Sequence, residues 1–254
     1  MLSKVKVLTA LVALLTGVSA VLMSAPVQAE TTLYAPVSPT GSALLTTRPV
    51  PLVGSGEVSV GAVGTEVYFT RRTSWLVFGH RALLEGQVAT VDGALPDAPV
   101  RLLAQPHGRS WRPIATTRTS TDSGVFRFRH KPWRTTRYRV EYAGEWAYTA
   151  SETEAVVKVR RKITSDLKRN ADGTFAMRGH LAPKSPGKTV RLQRKTCRSC
   201  SWSVIKSTSA SRDSTFRFRF SGPSRQGTWF FRAITPRDPA YLKSFGDVWA
   251  LRRS

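Results

Sequence analysis

From about Glu66 onward the chain is written in short runs in which apolar and polar residues alternate. No apolar face at helical spacing extends beyond a turn or two. Side chains alternate across a strand, so in "STFRFRF" (214–220) Phe216, Phe218 and Phe220 must share one side while Arg217 and Arg219 share the other. The runs are separated by residues that supply a positive or preset φ where the chain reverses: Asp92-Gly93, Pro96-Asp97, Asp122-Ser123-Gly124, Ala143-Gly144, Asp172-Gly173 and Ser185-Pro186-Gly187. The pattern predicts an all-β protein.

The pattern also occurs twice. "LEGQV" (84–88) is matched by "MRGHL" (177–181), "PVRLLAQ" (99–105) by "TVRLQRK" (189–195), and "SWRPIA" (110–115) by "SWSVIK" (201–206). "VFRFR" (125–129) is matched by "TFRFR" (215–219), "YRV" (138–140) by "FRA" (231–233), and Ala147-Tyr148 by Ala240-Tyr241. The offset is 93 from Gly86 to Gly179, 91 from Trp111 to Trp202, 90 from Phe126 to Phe216 and 93 from Tyr148 to Tyr241. So steady a spacing indicates a duplicated module with small loop changes.

Each copy has the length and the six or seven strand-like runs of an immunoglobulin-type β-sandwich. The expected organisation is a leader (1–29), a Pro/Gly/Ser/Thr-rich linker (30–65) and two tandem immunoglobulin-like sandwiches (66–160 and 161–254). The succession of a glycine-bearing strand, "PVRLLAQ" or "TVRLQRK", a Ser-Trp opening, "GVFRFR", "YRVEYAGEWAY" and "AVVKVR" resembles the immunoglobulin-like repeats of secreted actinobacterial proteins. The second copy departs from it, since "FFRAITPRDPAY" lacks the Tyr-x-Gly-Glu of Tyr142–Glu145. The resemblance implies a seven-stranded spacer, display or adhesion module outside the cell, and it carries no catalytic residues with it.

Lys4 and Lys6, an apolar run from about Val7 to Leu22 and the small residues before Glu30 predict a secretory leader cleaved after Ala29. That run is short for a spanning helix and ends at Pro26, and no later apolar run is long enough to span, so no membrane segment is expected after cleavage. The expected location is extracellular, with retention on the cell wall as one form of it.

Charge sharpens this picture. The chain has 39 Lys and Arg against 16 Asp and Glu, a net charge of +23, and the excess is concentrated late. Residues 161–254 hold 21 basic and 5 acidic side chains, against 15 and 9 in residues 66–160. An anionic partner would be felt first in the second copy. Arg191, Arg194, Lys195, Arg198, Lys206, Arg217 and Arg219 belong to runs that a sandwich could bring together, and they are the candidate polyanion contacts, set against a merely solvated basic face.

Cys197 and Cys200 have a spacing shared by redox sites and zinc knuckles. Zinc would need two more ligands, and His80, His107, His130 and His180 show no paired spacing near them. The flanking runs are both strands, so the preferred reading is a disulfide stapling a hairpin tip. "NADGTF" (170–175) lacks the further acidic positions of a calcium loop and reads as a turn. No hydrolase or phosphate-loop motif occurs, and no cofactor is expected. Trp111, Trp133, Trp146, Trp202 and Trp229, with Trp75 and Trp249, could stack on sugar rings or bases beside the arginines. Trp111 and Trp202, repeated at one place, are read as packing positions, and packing is preferred even for Trp146, the best candidate for an exposed contact.

The function expected is a non-catalytic structural, adhesion or display module of the cell envelope, whose partner is an envelope component or an extracellular protein or glycan. The alternative is a polyanion binder, taking an acidic wall polymer, nucleic acid or glycan through the basic second copy.

Overall fold

The computed structural model describes residues 3–5, 61–145 and 147–253. The linker up to residue 60 and all of the leader except one short strand, β1 (Ser3–Val5), lie outside the described residues.

The first sandwich is built from β2 (Glu66–Arg72), β3 (Trp75–Val77), β4 (Ala82–Thr90), β5 (Gly93–Ala94), β6 (Pro99–Pro106), β7 (Arg112–Arg118), β8 (Val125–His130), β9 (Thr136–Tyr142) and β10 (Ser151–Arg160). One sheet has β4 at its centre, flanked by β2, β5 and β8. The other runs β3-β10-β9-β6-β7. All pairings are antiparallel except that of β3 with β10, where the chain has crossed from one sheet to the other.

The second sandwich repeats the plan with β11 (Lys162–Arg169), β12 (Phe175–Ala182), β13 (Thr189–Lys195), β14 (Ser203–Ser209), β15 (Thr215–Phe220), β16 (Gly227–Thr235), β17 (Ser244–Phe245) and β18 (Val248–Arg253). Its sheets are β11-β12-β15 and β18-β16-β13-β14. β17 adds to β16, and β1 pairs antiparallel with β18. The fold is all-β, made of tandem immunoglobulin-like sandwiches.

The doubled Phe-Arg-Phe-Arg is one strand made twice, β8 and β15. Phe126 and Phe128 are buried in one core and Phe216, Phe218 and Phe220 in the other, while the intervening arginines are exposed. The tilted ring pair recurs with the same centroid separation, 5.8 Å, in Phe126–Phe128 and Phe216–Phe218. Burial of each ring contributes about 1.5–3 kcal/mol. The repeated glycine has the same cause in both copies. Gly86 pairs with Phe126, and a Cβ there would lie against the Tyr68 carbonyl and 2.6 Å from the ring tip of Phe126. Gly179 pairs with Phe216, and a Cβ would meet the Thr164 carbonyl and the Phe216 ring.

The buried residues fall into two clusters, one around Leu84, Phe126, Tyr138 and Val157, the other around Met177, Leu192, Phe216 and Phe231. Tyr241, from the turn Asp238–Tyr241, belongs to the first cluster although it follows β16 of the second sandwich. Its hydroxyl donates to the Trp133 carbonyl (2.9 Å), Thr135 N donates to Ala240 O (2.9 Å), and Leu242 N to Val159 O (2.8 Å). At the seam lies Arg161, 5 % exposed, bonded to Asp238 (3.0 Å) and Ser185 Oγ (3.1 Å), with its guanidinium carbon 3.8 Å from the Tyr241 ring centre. Lys188 also pairs with Asp238. The first copy has the equivalent turn, Glu145–Tyr148, and there it receives residues 63–65. Val63 N donates to Ala147 O, Thr149 N to Val63 O, and Thr65 bonds to Thr149. The last residues of the stretch expected as linker are thus held against the sandwich.

Candidate functional site

The outward faces of the two larger sheets occupy the same place in each copy and differ in chemistry. In the first, β9 carries Arg137, Arg139 and Glu141 outward between β6 and β10. Arg101 bonds to Glu141 (2.7 Å), and Arg137 to Glu154 (2.6 Å). Arg139 bonds to Glu154 (2.7 Å) and pairs with Glu152 (3.2 Å) and Glu141 (3.9 Å). Hydrogen bonds from Arg139, then Arg137, hold the Glu154 carboxyl below its ordinary value. The guanidinium of Arg139 also lies 5.0 Å over the ring of Trp111. The arginines on this face are matched by its own carboxylates.

The registers make the second copy directly comparable. Where Arg101 faces Glu141, Arg191 faces Ile234; where Leu103 faces Arg139, Gln193 faces Arg232; where Gln105 faces Arg137, Lys195 faces Phe230. Where Glu152 faces Glu141, Phe245 faces Ile234. The arginine over tryptophan is kept, with Arg232 4.0 Å from the Trp202 ring centre and 4.7 Å from that of Phe245. The carboxylates of Glu141 and Glu152 have no counterpart at those positions. Arg232 donates through Nε to Gln193 Oε1 (2.9 Å) and makes no ion pair among the described residues. Burial lowers its pKa from the ordinary arginine value.

Cations and rings alternate outward from Arg232. Lys195 Nζ lies 5.3 Å from the Trp202 ring and 5.0 Å from Phe230. On the other side Arg160 lies 4.2 Å over Trp75 and 5.5 Å from Phe245, and its buried Nε finds no hydrogen-bond partner among the described residues. Trp75 is 49 % exposed and Phe245 37 %. Contacts of this kind are each worth about 0.5–2 kcal/mol, more as water is excluded.

The seven basic residues singled out in the sequence do not form one patch. Arg191 and Lys195 belong to the face just described, and Arg198 lies at the exposed hairpin tip, where its carbonyl accepts from Lys195 Nζ (2.6 Å). Arg194, Lys206 and Arg219 line a cleft beside Trp229, with Arg194 4.7 Å from that ring and Arg219 paired with Asp172. Arg217 projects from β15, on the opposite sheet, across from Arg178. Cys197 and Cys200 are joined in a disulfide at the β13–β14 hairpin, with Cα atoms 5.1 Å apart.

"NADGTF" is a turn whose polar groups bond locally, Asn170 N to Thr174 O and Thr174 N to Asp172 Oδ1. No group of three His, Cys, Asp or Glu side chains that could hold a metal ion occurs among the described residues. Trp111 and Trp202 are half-buried and lie beneath arginines on the outer faces, not in either core. Trp146 lies outside the described residues. Sequence reasoning missed Arg232, Phe245, Phe230 and Arg160. The signal available was the loss of Glu141 and Glu152 on aligning the copies.

Fold and face together define tandem immunoglobulin-like sandwiches, one with a self-neutralised sheet face and one with a cationic, aromatic face. No family model matches the chain. No curated protein matches it either. Similar solved structures include a tetra-tandem repeat from the extending region of a large adhesion protein, 16 % identical, TM-score 0.36, covering 76 % of this chain and 50 % of that one. Another is the chicken interferon gamma receptor alpha chain, 12 % identical, TM-score 0.43, covering 75 % and 98 %. This chain thus spans about half the length of the adhesion-protein structure.

Proposed function

We propose that this protein is an exported, non-catalytic spacer of the cell envelope that presents its sheet faces and loop tips to an extracellular partner. The observation that carries this reading is the joint. Tyr241 of the second copy is built into the first core, and Arg161 is buried against Asp238 beside it. An interface closed by an inserted ring, on a turn that hydrogen-bonds to the first copy and is braced by an ion pair, resists reorientation, which suits a module that must hold a partner at a set distance. Small-angle scattering of the full chain tests it. One interdomain arrangement for the wild type, broadened by Asp238→Ala, is expected, and equal breadth in both would refute the spacer. Capture by the mature protein of a component of isolated envelope is the matching partner test.

A second reading, binding of polyanions through residues 161–254, is favoured by the cations of the β16 and β13 face that lack carboxylate partners. Retention on a heparin column beyond that of a charge-matched control supports it, and equal elution removes it.

A further inference from the structure

We propose that the outer face of β13, β16 and β17, centred on Arg232, is a binding site for a carboxylated glycan, a polymer of uronic-acid type. The first copy shows what this face binds when it is complete. Arg139, resting on Trp111, is met by Glu141, Glu152 and Glu154. The second copy keeps the arginine and the tryptophan and removes two of the acids: Ile234 replaces Glu141, and Phe245 replaces Glu152. Opposite Arg232 the pairing of β16 is interrupted between Phe245 and Trp249, and Asp247 in that interval makes no ion pair among the described residues. The positions of Glu141 and Glu152 around a half-buried guanidinium therefore lack their carboxylates, and such a cation gains most from an anion that reaches it there.

The replacements also say what should carry the carboxylate. Phe230 and Phe245 are apolar rings where the first copy has charged side chains. With Trp75, Arg160, Trp202 and Lys195 they continue as alternating rings and cations. A uronate residue presents an apolar C–H face beside its carboxylate, so one sugar can cover a ring while its acid reaches the neighbouring cation. An acidic peptide fits less well. Outside the interval opposite Arg232 the backbone groups of β13 and β16 are engaged by adjacent strands, which leaves few main-chain partners on the flat of the sheet. Nucleic acid would attach through phosphates spread along the whole charge excess, without dependence on one guanidinium.

The site rests on the extracellular reading above for access to its ligand, but its test does not involve the joint, so either can fail alone. Binding of the full chain to polygalacturonate is measured by affinity electrophoresis and calorimetry, with neutral dextran, polyglutamate and single-stranded DNA of matched charge as comparisons. Expected is preferential binding to polygalacturonate, weakened about tenfold by Arg232→Gln and by Phe245→Glu, which restores an acid of the first copy, and unchanged by Arg178→Gln, which removes the same charge from the opposite sheet. Circular dichroism of the variants checks the fold, and binding should quench tryptophan emission. No binding, or equal binding by wild type and both variants, overturns the site. Equal binding to polyglutamate reassigns the face to acidic protein, and equal binding to DNA reassigns it to nucleic acid; either rejects the glycan.

Discussion

Arg161 and Asp238 meet at 3.0 Å within the second copy, beside the seam between the sandwiches, with the arginine almost fully buried. The arginine Nη1 has no hydrogen-bond partner of its own among the described residues, so Asp238 is its main source of compensation. Removing the acid leaves a buried charge beside Tyr241, which is more costly than losing an exposed pair. Asp238→Ala is expected to lower unfolding free energy by about 3 kcal/mol in urea denaturation. A loss no larger than that of an exposed ion pair would show that this pair carries little stability.

Acid should act in two windows. Burial lowers the pKa of His130 from 6.5, and its Nδ1 lies 2.7 Å from the Tyr138 hydroxyl. The unfolded chain binds that proton more readily, so stability is complete above pH 6.5 and declines below it. Burial pushes the pKa of Asp238 up, but Lys188 and Arg161 pull it further down, to a net value below the ordinary 3.8. Its contribution is present above that pH and is lost as pH falls through the lowered value. Melting temperatures across the acid range should show both declines, with the first absent in His130→Phe and the second absent in Asp238→Asn.

Gly86→Ala and Gly179→Ala should each destabilise by about 1–3 kcal/mol, because the added methyl meets a strand carbonyl and a phenylalanine ring that cannot both retreat. Ala at Gly173, where a Cβ meets nothing within 4 Å but φ is +77°, should cost only its backbone strain. Calorimetric melting of the three variants separates overpacking from conformational preference.

Reduction of Cys197–Cys200 should lower stability by at most about 2 kcal/mol, the limit for so short a ring. The β13–β14 pairing continues well beyond the tip, to Thr189 and Ser209, so the sandwich should survive the loss. Equilibrium unfolding with and without reductant reads the difference, and global collapse would contradict it.

The fold class was legible because strand alternation is a local property. Phe216, Phe218 and Phe220 announce a core face whatever surrounds them. The duplication was legible because Gly86 and Gly179 answer the same steric demand. The candidate site was not, because nearness along the chain does not tell which sheet a cation leaves from. Arg217 and Arg191 look like members of one basic set but leave the sandwich from opposite sheets. Trp202 reads as a packing position, but the group it packs against is Arg232 on the outer face of β16, and only the strand register brings the two together. Nor does any local pattern reveal that Tyr241 completes the neighbouring core.

That borrowed ring ties the fates of the two copies. A protease cut in the turn that carries Tyr241 would open a greasy vacancy beneath residues otherwise sealed from water, so injury to the later half is transmitted to the earlier one. The pair is expected to survive, or to be cleared, as one unit.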